Sequence, residues 1–260
     1  MTSPSIGQRR YGAIVAGLLL ALTCGDACSR AFTWPEVNDG RLKARPRAAT
    51  VTTTARDQHA LGLESGRDAI LQVPATTGDE AMPLLVLLHG AGGSGEGVLR
   101  RVGSAAADAG VAVLAPDSRD SSWDAIRGDF GRDVTFLDRA LDRVFETVRV
   151  DPDRLAVGGF SDGATYALSL GLINGDLFRR VVAFSPGFVV DGTPRGRPRF
   201  FVSHGTSDTI LPIDRTSRLI VPLLRQRGYD VTFREFDGGH EVPPAIARDA
   251  FVWVAAGSQP

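Results

Sequence analysis

The stretch "VGGFSDGAT", Val157–Thr165, sets a serine between two glycines, Gly159-Phe160-Ser161-Asp162-Gly163. A turn sharp enough to force that hydroxyl into the open needs small residues on both sides. With 30 glycines in 260 residues, chance alone supplies roughly 0.2 G-x-S-x-G patterns, so the motif has meaning only in context: a strand before it, a helix after it, and partners downstream.

Both neighbours are present. "RLAVGGF" (154–160) reads as a strand, and 162–172 reads as a helix. The same alternation recurs outward. "LLVLLHG" (84–90), "VAVLAPD" (111–117), "RVVAFSP" (180–186), "RFFVSHG" (199–205) and "DVTFREF" (230–236) are strand-like. Several are apolar throughout, as expected of parallel strands buried on both faces. Helices are expected at 97–109, 133–148, 215–227 and 244–254. The helix over 133–148 carries a stripe of Val134, Leu137, Leu141, Val144, Phe145 and Val148 at steps of three and four, with Phe136 off the stripe. Pro222 should kink or shorten the helix at 215–227. "HALGLES" and "DAILQVP", flanking Gly66-Arg67, read as an antiparallel hairpin at the sheet edge. The expected class is α/β: a mostly parallel central sheet with helices on both faces, an N-terminal antiparallel hairpin and no large lid. No internal repeat is present.

Composition narrows the function. A hydrophobic content of 43% allows a substantial core, and a net charge of −1 argues against nucleic acid as a partner held by bulk charge. Cys24 and Cys28 are the only cysteines, so neither a disulfide nor a cysteine zinc site is expected in the folded part. Arg9-Arg10, an apolar run from Ala13 to Leu22 and small residues after it have the layout of a signal peptide over 1–27, too short for a stable membrane span, so export to the periplasm or medium is expected. Cleavage before Cys28 would leave a cysteine able to carry a lipid anchor, but Gly25 stands where such signals usually have leucine, which argues against it. Residues 28–57 are polar and Pro-containing and read as a flexible linker, leaving 58–257 as one catalytic domain.

In parallel α/β sheets, ligands bind beyond the carboxyl ends of the strands. The residues standing there are His89 to Gly93, Asp117, Ser161, Ser185, Asp208 and His240. A serine hydroxyl needs a base to become a nucleophile. His240, in "DGGHE" after the last strand, is the best placed of four histidines; His89 and His204 more plainly hold loops. The base needs an acid to fix its tautomer. Asp208, in "HGTSDTILP", precedes His240 and follows a strand, whereas Asp214 suits a capping role. The order Ser161, Asp208, His240 is nucleophile, acid, base. The N–H groups of Asp162 and Ala91 would form the oxyanion hole.

These motifs together, "LLHGAGGSG", "GFSDGA", "HGTSDTILP" and "GYDVTFREFDGGHEVPP", resemble the α/β-hydrolase superfamily, and within it the phospholipase/carboxylesterase and polyhydroxybutyrate-depolymerase-like serine esterases. The resemblance spans about Leu84 to Val254. It implies a serine carboxylic-ester hydrolase acting on a small-molecule ester through an acyl-enzyme, with no cofactor and no metal. Polyester and feruloyl ester depolymerases share the pattern but often carry disulfides or binding modules, which this chain lacks in its folded part. Trp123 is a candidate pocket wall or an ordinary packing aromatic. Phe188 is a candidate for the cleft or the core.

One motif points elsewhere. Gly90-Ala91-Gly92-Gly93-Ser94-Gly95 is formally G-x-G-x-x-G after a strand, with Asp117 ending the next strand, as in a dinucleotide-binding oxidoreductase. Against it, His89 interrupts the strand, no helix start is expected at the third glycine, and the triad residues are left unexplained. Val98 after Gly97 excludes a P-loop, and Pro244 occupies the second position of H-E-x-x-H. A binding protein with a dead site would not need all three triad members.

Overall fold

The computed structural model describes residues 39–48, 57–75 and 80–256. The expected signal peptide and Cys28 lie outside the described residues. The strands are β1 (Asp57–Ala60), β2 (Ala69–Val73), β3 (Met82–Leu88), β4 (Ala112–Pro116), β5 (Val150–Phe160), β6 (Arg180–Phe184), β7 (Arg199–Gly205) and β8 (Val231–Phe236). They form one sheet in the order β1-β2-β4-β3-β5-β6-β7-β8. From β3 to β8 every pairing is parallel, while β2 runs antiparallel to both β1 and β4. This is the expected mixed sheet with an antiparallel N-terminal hairpin.

Seven helices connect or follow the parallel strands among the described residues: α1 (Gly95–Val102), α2 (Ala105–Asp108), α3 (Asp124–Arg127), α4 (Arg132–Thr147), α5 (Asp162–Ile173), α6 (Ser217–Gln226) and α7 (Pro244–Ala255). None is long and apolar enough to cross a membrane. Two cores lie on opposite faces of the sheet. Alternate residues of β3 divide between them: Leu84, Val86 and Leu88 pack with α4, α5 and α6, whereas Leu85 and Leu87 pack with α1, α2 and α7. The period of two along a strand therefore feeds two apolar layers, which is why these strands read as continuous apolar runs. The α4 stripe is buried throughout, and each such Leu, Val or Phe contributes roughly 1.5–3 kcal/mol. Phe136 is buried as well, with the Arg119 guanidinium 3.7 Å from its ring centroid, so it widens the stripe toward a loop.

Three expectations are corrected. The helix over 97–109 is two helices, α1 and α2, because Gly103 at φ 59° closes α1 by donating its N–H to the Leu99 carbonyl. A helix does begin at the third glycine of the G-x-G-x-x-G run: Ser94 caps it, its Oγ accepting from Gly97 N–H, and α1 starts at Gly95. Residues 39–48, inside the expected linker, are packed. The Leu42 N–H donates to Asn174 Oδ1 (2.9 Å), and Asn174 Nδ2 donates to the Gly40 carbonyl (2.8 Å). The N–H groups of Lys43 and Ala44 donate to Asp138 Oδ1. Arg41 grips Asp176 with two bonds (2.8 and 2.9 Å) and holds that carboxyl below the ordinary range. Polar composition suggested a loose arm, but the polar groups are matched to partners on α4 and just beyond α5.

Candidate active site

Ser161 stands between β5 and α5 at φ 58° and ψ −121°, a left-handed conformation that serine rarely adopts. Such a residue costs about 1–3 kcal/mol and persists only where its surroundings over-determine it. Here the Ser161 N–H donates to the Phe184 carbonyl on β6 (2.9 Å), and its carbonyl accepts from the N–H groups of Ala164 and Thr165. The flanking glycines are required by close approach. A Cβ on Gly159 would lie 2.4 Å from the Gly163 carbonyl, and one on Gly163 would lie 2.3 Å from the Leu88 carbonyl of β3. The two-residue spacing thus marks where β3, β5 and the first turn of α5 touch backbone to backbone.

The three residues expected to act together meet at the carboxyl ends of β5, β7 and β8. His240 Nε2 lies 2.9 Å from Ser161 Oγ, and His240 Nδ1 lies 2.6 Å from Asp208 Oδ2. A carboxylate can only accept, so Nδ1 carries the proton and the Nε2 lone pair faces the serine hydroxyl. Asp208 Oδ1 accepts from the N–H groups of Ile210 (2.9 Å) and Leu211 (2.8 Å). Burial alone would raise this carboxyl; the His240 and backbone donors outweigh it, and Asp208 lies below the ordinary range. The His240 ring rests against Phe160, with centroids 4.7 Å apart.

Two residues read as loop holders do that work in detail. His204, fully buried at the end of β7, puts Nε2 at 2.7 Å from the Leu211 carbonyl and 3.1 Å from Asp208 Oδ2, and Nδ1 at 2.7 Å from Ser217 Oγ. A carbonyl only accepts, so Nε2 is the protonated nitrogen and Nδ1 accepts from the Ser217 hydroxyl. Burial pushes this imidazole below its ordinary range and keeps it neutral. The next residue, Gly205, lets the His240 loop in: a Cβ there would stand 2.3 Å from the Gly239 carbonyl. Thr206 N–H to Phe236 O and Ser207 N–H to Gly238 O fasten the acid-bearing loop to the base-bearing loop. The "HG" before "TSD", read as a loop-holding histidine followed by glycine, is the sequence signal of this packing.

His89 organises the loop after β3. Its Nε2 accepts from Ser118 N–H (2.9 Å), so its Nδ1 carries the proton and bonds the Gly90 carbonyl (2.7 Å). Burial, the leading influence, lowers this histidine too. The Gly92 N–H donates to Ser121 O, and Ser122 Oγ donates to Asp162 Oδ2 (2.5 Å). Among the described residues, the N–H groups of Ala91 and Asp162 enter none of the backbone hydrogen bonds that build these turns.

Trp123 does not wall a pocket. It is 1% exposed, donates Nε1–H to the His89 carbonyl (2.8 Å) and stacks on Tyr166 at 5.4 Å. Its role is to brace the loop from behind. Trp123→Phe keeps an aromatic ring but deletes the donor and part of the ring volume, leaving a buried carbonyl unpaired beside a small cavity. It is expected to cost about 1–3 kcal/mol of stability, measured by chemical denaturation. An unchanged midpoint would show that the bond contributes nothing.

A cleft of ≈470 Å³ opens over Ser161 and His240, between the Gly90–Ser94 loop, α1 and Ile210. Phe188 is 47% exposed and is not among the cleft-lining residues, so neither aromatic expected at the pocket lies in it. Asp117, which a dinucleotide site would keep for a ribose, accepts the Gly95 N–H at 2.7 Å instead. Among the described residues, no group of three His, Cys, Asp or Glu side chains is arranged to hold a metal ion.

Comparison with known proteins agrees with this architecture. The family model described as phospholipase/carboxylesterase matches residues 117–252, just over half of the chain. A relative from Nocardia uniformis subsp. tsuyamanensis, the putative esterase NocK, is 33% identical over 191 residues, 68% of this chain but only 54% of NocK. Feruloyl esterase C of Emericella nidulans is 25% identical over 215 residues, 69% of this chain and 78% of that one. The crystal structure of esterase PE8 superposes with a TM-score of 0.59 at 24% identity, covering 71% of this chain and 95% of that chain, a likeness of fold. The chain belongs to the phospholipase/carboxylesterase family of α/β-hydrolases.

Proposed function

We propose that the protein is a serine esterase that hydrolyses carboxylic esters through an acyl-enzyme on Ser161. The observation that carries this reading is the continuous hydrogen-bonded line from Ser161 Oγ through His240 to Asp208. His240 Nε2 takes the hydroxyl proton as Ser161 Oγ bonds to the ester carbonyl carbon. The carbonyl oxygen becomes an oxyanion, which the Ala91 and Asp162 N–H groups receive; such donors are worth roughly 3–4 kcal/mol each. Asp162 N–H is also the first of α5, where the helix dipole favours negative charge. Asp208 stabilises the imidazolium. The C–O bond to the alcohol breaks as His240 returns the proton to it. Water, deprotonated by His240, then attacks the acyl-enzyme, and the acid leaves with Ser161 regenerated.

A fluorophosphonate probe tests the nucleophile without assuming a substrate. The native protein is expected to gain one covalent adduct on the peptide containing Ser161, and Ser161→Ala is expected to gain none, read by intact-protein mass spectrometry. An adduct of equal yield on the alanine variant would move the nucleophile elsewhere. A graded series of 4-nitrophenyl esters, with a feruloyl ester included because feruloyl esterase C is a relative, then ranks acyl groups.

A further inference from the structure

The cleft over Ser161 is unevenly charged. Among the described residues its lining includes two guanidinium groups, Arg100 and Arg101, and no Asp or Glu. Arg100 is matched one turn back on α1 by Glu96, at 2.6 Å. Among the described residues Arg101 has no such partner; it contacts the Phe160 ring, its Cζ 4.2 Å from the centroid. Phe160 in turn rests against His240, 4.7 Å between centroids, and these two separations bound how far the guanidinium stands from the base. A cation in the last turn of a helix is favoured by the helix dipole, which accounts for an arginine on this turn. It does not account for the direction of the side chain, which, though exposed, lies over an aromatic face at the cleft.

Resting on the esterase reading, we propose that Arg101 is the anion-recognising residue of this site, and that the natural ester carries a carboxylate or phosphate within reach of it, close to the scissile bond. A positive group at a cleft whose described lining carries no acid draws anions in and orients them. The guanidinium offers paired donors suited to a carboxylate or phosphate. The contact with the Phe160 ring does not use the guanidinium N–H donors, so these stay available to a ligand. The anion can sit on the acyl part or on the alcohol part, and two pairs of esters separate those sources.

For the acyl side, 4-nitrophenyl hydrogen glutarate is compared with its methyl-capped neutral form. For the alcohol side, the butyrate ester of 4-hydroxybenzoate is compared with that of methyl 4-hydroxybenzoate. In at least one pair the charged ester is expected to have a kcat/KM about tenfold above its neutral partner at low salt, an advantage that shrinks as ionic strength rises. Arg101→Gln is expected to remove most of that charged-to-neutral ratio, and Arg101→Lys, which keeps the charge, to retain part of it. Turnover with no charge preference in either pair, or an unchanged ratio in Arg101→Gln, would overturn this inference and leave the esterase reading intact. No turnover of any of the four esters, together with no fluorophosphonate adduct on the native protein, would overturn both.

Discussion

Alanine at Ser161 is expected to lower kcat for ester hydrolysis by about 10⁶-fold, and alanine at His240 by a similar factor. The double variant should lose no more than either single one. The reason is that the two side chains perform one step: Oγ bonds to carbon only as Nε2 takes its proton across the 2.9 Å contact. Remove either partner and the step is gone, so the second deletion has nothing left to remove. Independent contributions would instead multiply. The residue of activity, roughly 10³–10⁴ above water, would come from the oxyanion donors and from binding, which neither substitution touches. Single-turnover rates with one activated ester across the three variants decide the matter. Losses that multiply in the double variant would show that Ser161 and His240 act in separate steps. A loss below a hundredfold in Ser161→Ala would show that the hydroxyl is not the attacking group.

Much of this arrangement is legible in the amino-acid sequence. The fold follows from the alternation of short apolar runs with amphipathic ones: the strand expected at 199–205 has those limits, that at 84–90 lies two residues earlier, and that at 154–160 begins four residues earlier. The meeting of Ser161, Asp208 and His240 followed from one rule: in a parallel sheet, the loops after the strands share a rim. What sequence could not give was which way a side chain turns. Trp123 and Phe188 both lie in loops near that rim, yet one is 1% exposed and the other 47%. Burial of Trp123 depends on Tyr166 and the His89 carbonyl, contributed by segments 43 and 34 positions away. The packing of residues 39–48 has the same origin. Asp138, Asn174 and Asp176 lie far along the chain, so local composition, which is polar, pointed to a loose segment. Gly103 illustrates a smaller failure. Periodicity ran on across it, while the positive φ that ends α1 there is a local backbone choice that apolar spacing does not encode.

Asparagine at Asp208 is expected to lower kcat by about 10⁴-fold while preserving the fold, and the hydrogen bonds of the site say why so small a change should act so strongly. The Ile210 and Leu211 N–H groups both point at Oδ1, so an asparagine must present its carbonyl oxygen to them and its amide nitrogen at the Oδ2 position. There the amide meets His240 Nδ1 at 2.6 Å and His204 Nε2 at 3.1 Å. As a donor it forces the His240 proton from Nδ1 to Nε2, and a protonated Nε2 cannot accept from Ser161. It also opposes the His204 N–H, which is held toward it by the Leu211 carbonyl. The base is thus left in place with the wrong tautomer, and KM should change far less than kcat. A stability measurement gives a second reading. Because Asp208 lies below its ordinary carboxyl value of 3.8 in the folded protein, its ionised form contributes stability at neutral pH. That contribution is lost as pH falls below the ordinary value and through the lower folded one. The stability gap between the native protein and Asp208→Asn should therefore be widest above about pH 4 and narrow in more acidic solution. A loss of activity under tenfold would mean that His240 holds its tautomer without Asp208. A gap that stays constant with pH would mean that the carboxylate is no better placed in the fold than in water.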